Sequence, residues 1–96
     1  MTAPTTILIV DDERLNRRLL QVLLRHEGYV TRSAASGEGA LASIADDPPD
    51  LILLDVMMPG LDGRQVARAV KADPATSKIP IIIVTCLLYT SDAADE

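Results

Sequence analysis

The stretch that most constrains this chain is Leu51-Ile52-Leu53-Leu54, followed at once by Asp55 and then by Val56-Met57-Met58-Pro59-Gly60-Leu61-Asp62-Gly63. Four apolar residues with no polar face read as a β-strand buried on both sides, because a half-exposed strand would alternate. The strand stops in a carboxylate. Asp55 therefore stands at its C-terminal end, the edge of an open α/β sheet at which ligands bind. Pro59 and Gly60 turn the chain, Asp62 is placed to cap the next helix, and Gly63 permits close backbone approach. A lone acid at a strand end can equally be a solvated turn residue. What decides is whether a second strand ends the same way.

One does. Ile7-Leu8-Ile9-Val10 is again apolar throughout and runs into Asp11-Asp12-Glu13. Residues 14–27 then carry a helical pattern, with Leu15, Leu19, Val22 and Leu23 on one stripe and Arg14, Arg17, Arg18, Gln21 and Arg25 largely elsewhere. Gly28 is suited to end that helix, and His26 beside it reads as a surface residue with no partner motif. Residues 29–34 are more polar and alternate, as an edge strand does. Ser36 is a candidate N-cap for a second helix reaching about residue 45, with Ala40, Leu41, Ile44 and Ala45 inward. Pro48 and Pro49 end it. A third helix over residues 63–72 packs Val66, Ala69 and Val70, and Ile81-Ile82-Ile83-Val84 is a fourth strand that stops at Thr85. The order βαβαβαβ predicts the α/β class: a doubly wound parallel sheet with helices on both faces and right-handed crossovers.

Composition narrows the rest. The chain is 48% apolar but has no Phe and no Trp, so its core must be aliphatic. The net charge of −5 is uneven: the last eleven residues hold Asp92, Asp95 and Glu96 and no base, which leaves −2 for residues 1–85. This is no footprint for nucleic acid. The single Cys excludes an internal disulfide framework and a Cys-cluster metal site. The start lacks the basic segment of a signal peptide, and no apolar run approaches the roughly 18 residues of a membrane span. The expectation is one small cytoplasmic domain with no membrane contact.

In the doubly wound order 2-1-3-4, strands one and three are neighbours at the topological switch point, about 4.8 Å apart. Asp11, Asp12 and Asp55 then converge in one shallow cleft. Two carboxylates about 5 Å apart repel by roughly 3 kcal/mol at an effective dielectric near 20, so the cluster needs a cation or a proton. An open site of oxygen ligands suits Mg2+, which keeps waters and accepts a phosphate oxygen. A carboxylate beside Mg2+ can act as a nucleophile and form an acyl phosphate, and Thr85 brings a hydroxyl to the same edge, able to donate to a phosphoryl oxygen. Taken alone, Asp11-Asp12 could instead cap the helix that follows.

Ile7-Leu8-Ile9-Val10-Asp11-Asp12, the Asp55 to Gly63 stretch and Ile79-Pro80-Ile81-Ile82-Ile83-Val84-Thr85 together resemble the receiver domain of two-component response regulators, from about Thr6 to Thr85. The resemblance implies a flavodoxin-like, CheY-like sheet. It also implies that Asp55 takes a phosphoryl group from a sensor histidine kinase or a phosphotransfer protein. Asp12 is then a direct Mg2+ ligand, Asp11 assists through water, the Asp55 carboxylate and the backbone carbonyl of Met57 are further ligands, and Thr85 relays the signal to an output domain. Residues 71–76, Lys-Ala-Asp-Pro-Ala-Thr, are similar to receivers attached to cyclic-dinucleotide enzymes. A receiver continues with a fourth helix, a fifth strand ending in Lys-Pro, and a fifth helix. None is legible after Thr85, and Lys71 and Lys78 come too early to be the phosphate-binding Lys. Residues 86–96, Cys-Leu-Leu-Tyr-Thr-Ser-Asp-Ala-Ala-Asp-Glu, resemble an in-frame translation of a transposon-end sequencing adapter. The expected division is therefore 1–85, a receiver domain cut short after its fourth strand, and 86–96, a non-native tail in which Cys86 and Tyr89 have no role.

The expected function is that of a phospho-accepting switch domain, not an enzyme beyond self-phosphorylation and self-dephosphorylation, and non-switching as it stands. The rival is a phosphohydrolase with an Asp nucleophile. Such enzymes place a second acid two residues after the nucleophile, where this chain has Met57. A third reading is an inert fragment that keeps the site.

Overall fold

The computed structural model describes residues 3–84. The elements are β1 (Thr6–Val10), α1 (Arg14–His26), β2 (Val30–Ala34), α2 (Gly37–Asp46), β3 (Leu51–Asp55), α3 (Gly63–Ala72) and β4 (Ile81–Val84). The four strands form one parallel sheet, as the alternation predicts, in the flavodoxin-like order β2-β1-β3-β4 that the family resemblance implies. The polar β2 lies at one edge. In register, Leu8 stands beside Ile52 and Val10 beside Leu54. Residues of alternate parity point to opposite faces, so Leu8, Val10, Ile52 and Leu54 share one face. There they meet Ala40 and Ile44 of α2, Met58, and Val66 and Val70 of α3 in the main aliphatic core. Ile7 and Ile9 are buried on the other face, toward α1. β1 is thus covered on both sides, which is why it has no polar face.

Helix ends follow local chemistry. Ser36 caps α2 by accepting from the Gly39 N–H. Asp62 caps α3 in a full capping box with Gln65. Gly28 closes α1 with a φ of 96°, a left-handed conformation that glycine adopts without strain.

Three expectations need correction. Leu15, Leu19, Val22 and Leu23 do form one stripe on α1, but they are between 53% and 74% exposed and α1 has no buried residue. The helix meets the sheet through half-buried Arg17, Leu20, Gln21 and Leu24. At 100° per residue these lie opposite the stripe. α1 carries leucines on two faces, and periodicity alone does not say which face packs. On α3, Ala69 is exposed and Ala67 packs against the core in its place. On α2, Ala45 is exposed while Ala40 and Ile44 are buried. For a small residue at the rim of a stripe, little burial energy is at stake either way.

β3 is buried on the α2–α3 face through Ile52 and Leu54, while Leu51 and Leu53 on the other are half-buried. β4 is paired on one side to β3, and among the described residues no strand pairs its other side. Its Ile82 and Ile83 are 50% and 45% exposed. Among the described residues no helix is long and apolar enough to cross a membrane.

Candidate acidic site at the sheet edge

Because Val10 pairs with Leu54, the next step of the ladder sets Asp11 beside Asp55 at the C-terminal ends of β1 and β3. Asp12 follows in the turn to α1. One carboxylate oxygen from each of Asp11, Asp12 and Asp55 can be chosen so that all three lie within 4.8 Å of one another. Asp11 is buried, Asp12 is exposed and Asp55 is intermediate. The set is thus anchored on the sheet and open to solvent on one side, as the strand order implies.

The backbone holds these acids. Asp11 donates its N–H to the Ala34 carbonyl at 3.1 Å, and its Oδ1 accepts from the Glu13 N–H at 2.9 Å. Asp11 thereby closes an Asx turn just ahead of α1 with one oxygen while it lies in the cluster. The alternative reading of the pair as a helix cap is not met, for α1 has Glu13 as its N-cap and no side-chain cap bond. Asp55 Oδ1 accepts from the Met57 N–H at 3.0 Å, which folds the β3–α3 loop back over the strand end. Gly63 makes that fold possible, since a Cβ there would fall on the Asp55 carbonyl oxygen and the Val56 Cα. Gly37 does the same for the neighbouring layer: a Cβ would fall on the Leu61 carbonyl oxygen, so α2 begins directly against the loop.

Burial pushes the Asp55 carboxyl above its ordinary range. The Met57 N–H opposes this, and the charges of Asp11 and Asp12 and a hydrogen bond with Asp11 add to it. The ion pair found among the described residues is Arg32 with Asp47, away from the cluster. Three carboxylates thus meet with no Lys or Arg side chain neutralising them among the described residues. That donor set fits a hard divalent cation with oxygen ligands. Met57 is 73% exposed. Thr85 follows Val84, which pairs with Asp55, but Thr85 itself lies outside the described residues, as does the expected tail 86–96.

Two contributors escape sequence reasoning. Gly37 has no signal but its own lack of a side chain. Arg17 stands in the sequence only as a polar position on α1, yet its Nη1 donates to the Asp11 carbonyl at 2.9 Å. An Arg six residues after an acid has no signature in sequence.

The chain matches the response regulator receiver domain family over residues 7–95. It is 52% identical over 81 residues to the response regulator PleD of Caulobacter vibrioides, covering 84% of this chain and 18% of that protein. It is 49% identical over 80 residues to the phosphate regulon transcriptional regulatory protein PhoB of Pseudomonas aeruginosa, covering 83% of this chain and 35% of that one. The chain therefore spans well under half the length of these curated relatives. Among solved structures it superposes on a putative response regulator from Chloroflexus aurantiacus with a TM-score of 0.82 and 42% identity, covering 84% of this chain and 66% of that one. The chemotaxis protein CheY4 of Vibrio cholerae matches with a TM-score of 0.81 and 28% identity, over 97% and 80% of the two chains. With its sheet order and its acids in register, the chain belongs to the response regulator receiver domain family.

Proposed function

We propose that this chain accepts a phosphoryl group on Asp55 from a sensor histidine kinase or a phosphotransfer protein, with Mg2+ held by Asp12 directly, by Asp11 through water, and by the Asp55 carboxylate and the Met57 carbonyl. The observation that carries the reading is the meeting of the Asp11, Asp12 and Asp55 carboxylates at one sheet edge. An Asp55 oxygen attacks phosphorus. The bond from phosphorus to the donor nitrogen breaks, its electron pair stays on the donor imidazole, and Asp55 becomes an acyl phosphate. Bound Mg2+ would neutralise charge on the phosphoryl oxygens and relieve repulsion among the carboxylates. With Oδ1 held by the Met57 N–H, we take Oδ2 of Asp55 as the attacking atom.

The outward stripe of Leu15, Leu19, Val22 and Leu23 starts three residues after Asp12, so a helical donor protein docked on it would bring its phosphoryl group to the cleft. Thr85 would supply a hydroxyl to the phosphoryl group and pass the change to an output domain. We take residues 1–85 as the receiver portion, 86–96 as a tail with no role in the chemistry, and the setting as cytoplasmic. The 96 residues have no Lys after Lys78, and Lys71 Nζ is engaged by the carbonyls of Ser77 and Ile79. We take these 96 residues by themselves to hold the acyl phosphate weakly and to be non-switching. The exposed Met57 where a phosphohydrolase has its second acid speaks against that reaction.

Titration with Mg2+, followed by NMR, tests the site. The amides of Asp11, Asp12 and Asp55 should shift in wild type and stay in place in Asp12→Ala. Beryllofluoride, which mimics the acyl phosphate, should bind wild type and not Asp55→Asn. Binding that survives this substitution would remove Asp55 from its role.

A further inference from the structure

We propose that Arg17 is a positioning residue for the acidic site, acting from α1 on the turn that carries Asp12. The inference rests on reading the three carboxylates as a Mg2+ site. Arg17 contacts both ends of the turn between β1 and α1: its backbone N–H donates to the Glu13 carbonyl at 3.1 Å and its guanidinium to the Asp11 carbonyl at 2.9 Å. Asp12 lies between those two carbonyls. Its own carboxylate accepts no hydrogen bond from protein among the described residues, so its place is dictated by the turn backbone.

Little else ties the turn down. Glu13, the N-cap of α1, makes no side-chain capping bond. What joins the end of β1 to the start of α1 is the Asp11 carboxylate on the Glu13 N–H and the reach of Arg17. The second is the stronger candidate for a brace. It has a charged donor, it spans six residues, and the side chain is half-buried against the sheet, where a hydrogen bond is less open to competition from water. Its carbonyl partner cannot ionise, so the brace holds at any pH at which the fold does. Arg17 thereby orients a metal ligand without touching the metal, and removing a residue of that kind typically weakens metal binding by roughly 10–100-fold.

Two variants of the 96-residue chain separate this from a general structural role. Arg17→Met keeps the apolar stem, and Arg17→Lys keeps a charged donor. Without metal, the Glu13 amide of Arg17→Met should exchange with solvent about tenfold faster than in wild type, while the Leu8 and Ile52 amides of the sheet exchange as before. Mg2+ affinity, read from the Asp12 amide shift, should fall roughly tenfold or more, and Arg17→Lys should recover most of both losses. Wild-type behaviour of Arg17→Met in both measurements would overturn the proposal, as would equal acceleration at Leu8 and Ile52, which would make Arg17 a support of the whole fold. A wild type that shows no Mg2+ shift would defeat the metal reading alone, and the Glu13 exchange rate would still decide whether Arg17 holds the turn.

Discussion

Asp55 is held where its charge is opposed, by burial first and then by Asp11 and Asp12. A carboxyl whose pKa is raised on folding binds its proton more tightly in the folded chain than in the unfolded one. The Asp55 contribution to metal-free stability is therefore fullest below the ordinary value of 3.8 and is lost as pH rises from there through the raised value. Asp55→Asn removes this loss and keeps an acceptor for the Met57 N–H. At neutral pH with chelator, the variant should be more stable than wild type by about 1 kcal/mol, the lower end of the repulsion between carboxylates about 5 Å apart. The difference should vanish near pH 3, as read from thermal melts. Saturating Mg2+ should reverse the order, because ligand binding to the folded state stabilises wild type and the variant lacks a ligand. These acids are legible in sequence because each ends an apolar run, and strand order then brings the runs together. Arg17 is not legible, because its partner is a backbone carbonyl and carbonyls leave no trace in composition.

At the scale of elements, the strands are the clearest feature of the sequence. Apolar runs of four residues in β1, β3 and β4, each with an acid or a proline at one end at least, leave little choice. The caps at Ser36 and Asp62 are equally clear, since a short side chain with an oxygen at a helix start has one good use. Asp62→Ala should cost about 1 kcal/mol of stability, measured by urea unfolding. The packing face of α1 is not clear, for Leu20 and Leu24 meet the sheet while Leu15, Leu19, Val22 and Leu23 face out. That exposure makes a testable separation. Leu19→Glu should change stability by less than about 0.5 kcal/mol, leave phosphorylation by a small phosphodonor unchanged, and slow transfer from a donor protein. Unfolding of this variant would mean that the stripe is buried after all.

For the whole molecule, the alternation of strand and helix determines the layers and the parallel sheet, and the family resemblance supplies the strand order that brings the acids together. It does not determine what lies against β4, whose Ile82 and Ile83 stand half in water. Burying one such side chain is worth about 1.5–3 kcal/mol, against a total stability of roughly 5–15 kcal/mol for a domain. Among the described residues the outer edge of β4 has no partner strand, and an apolar edge of that kind is a template for association. The 96-residue polypeptide should therefore unfold with low cooperativity and sediment as larger species as its concentration rises. Substituting a complete receiver C-terminus for residues 86–96 should restore a sharp transition. A sharp, reversible transition from a strictly monomeric 96-residue chain would contradict this. The central claim, that Asp55 is the phosphoryl acceptor of a Mg2+-dependent site, is tested most directly by mass spectrometry of the intact chain after incubation with a small phosphodonor and Mg2+. The expected result is a gain of one phosphoryl group that maps to Asp55, is abolished by chelator and is absent in Asp55→Asn. The same gain in Asp55→Asn, or no gain in folded wild type with Mg2+ present, would contradict it.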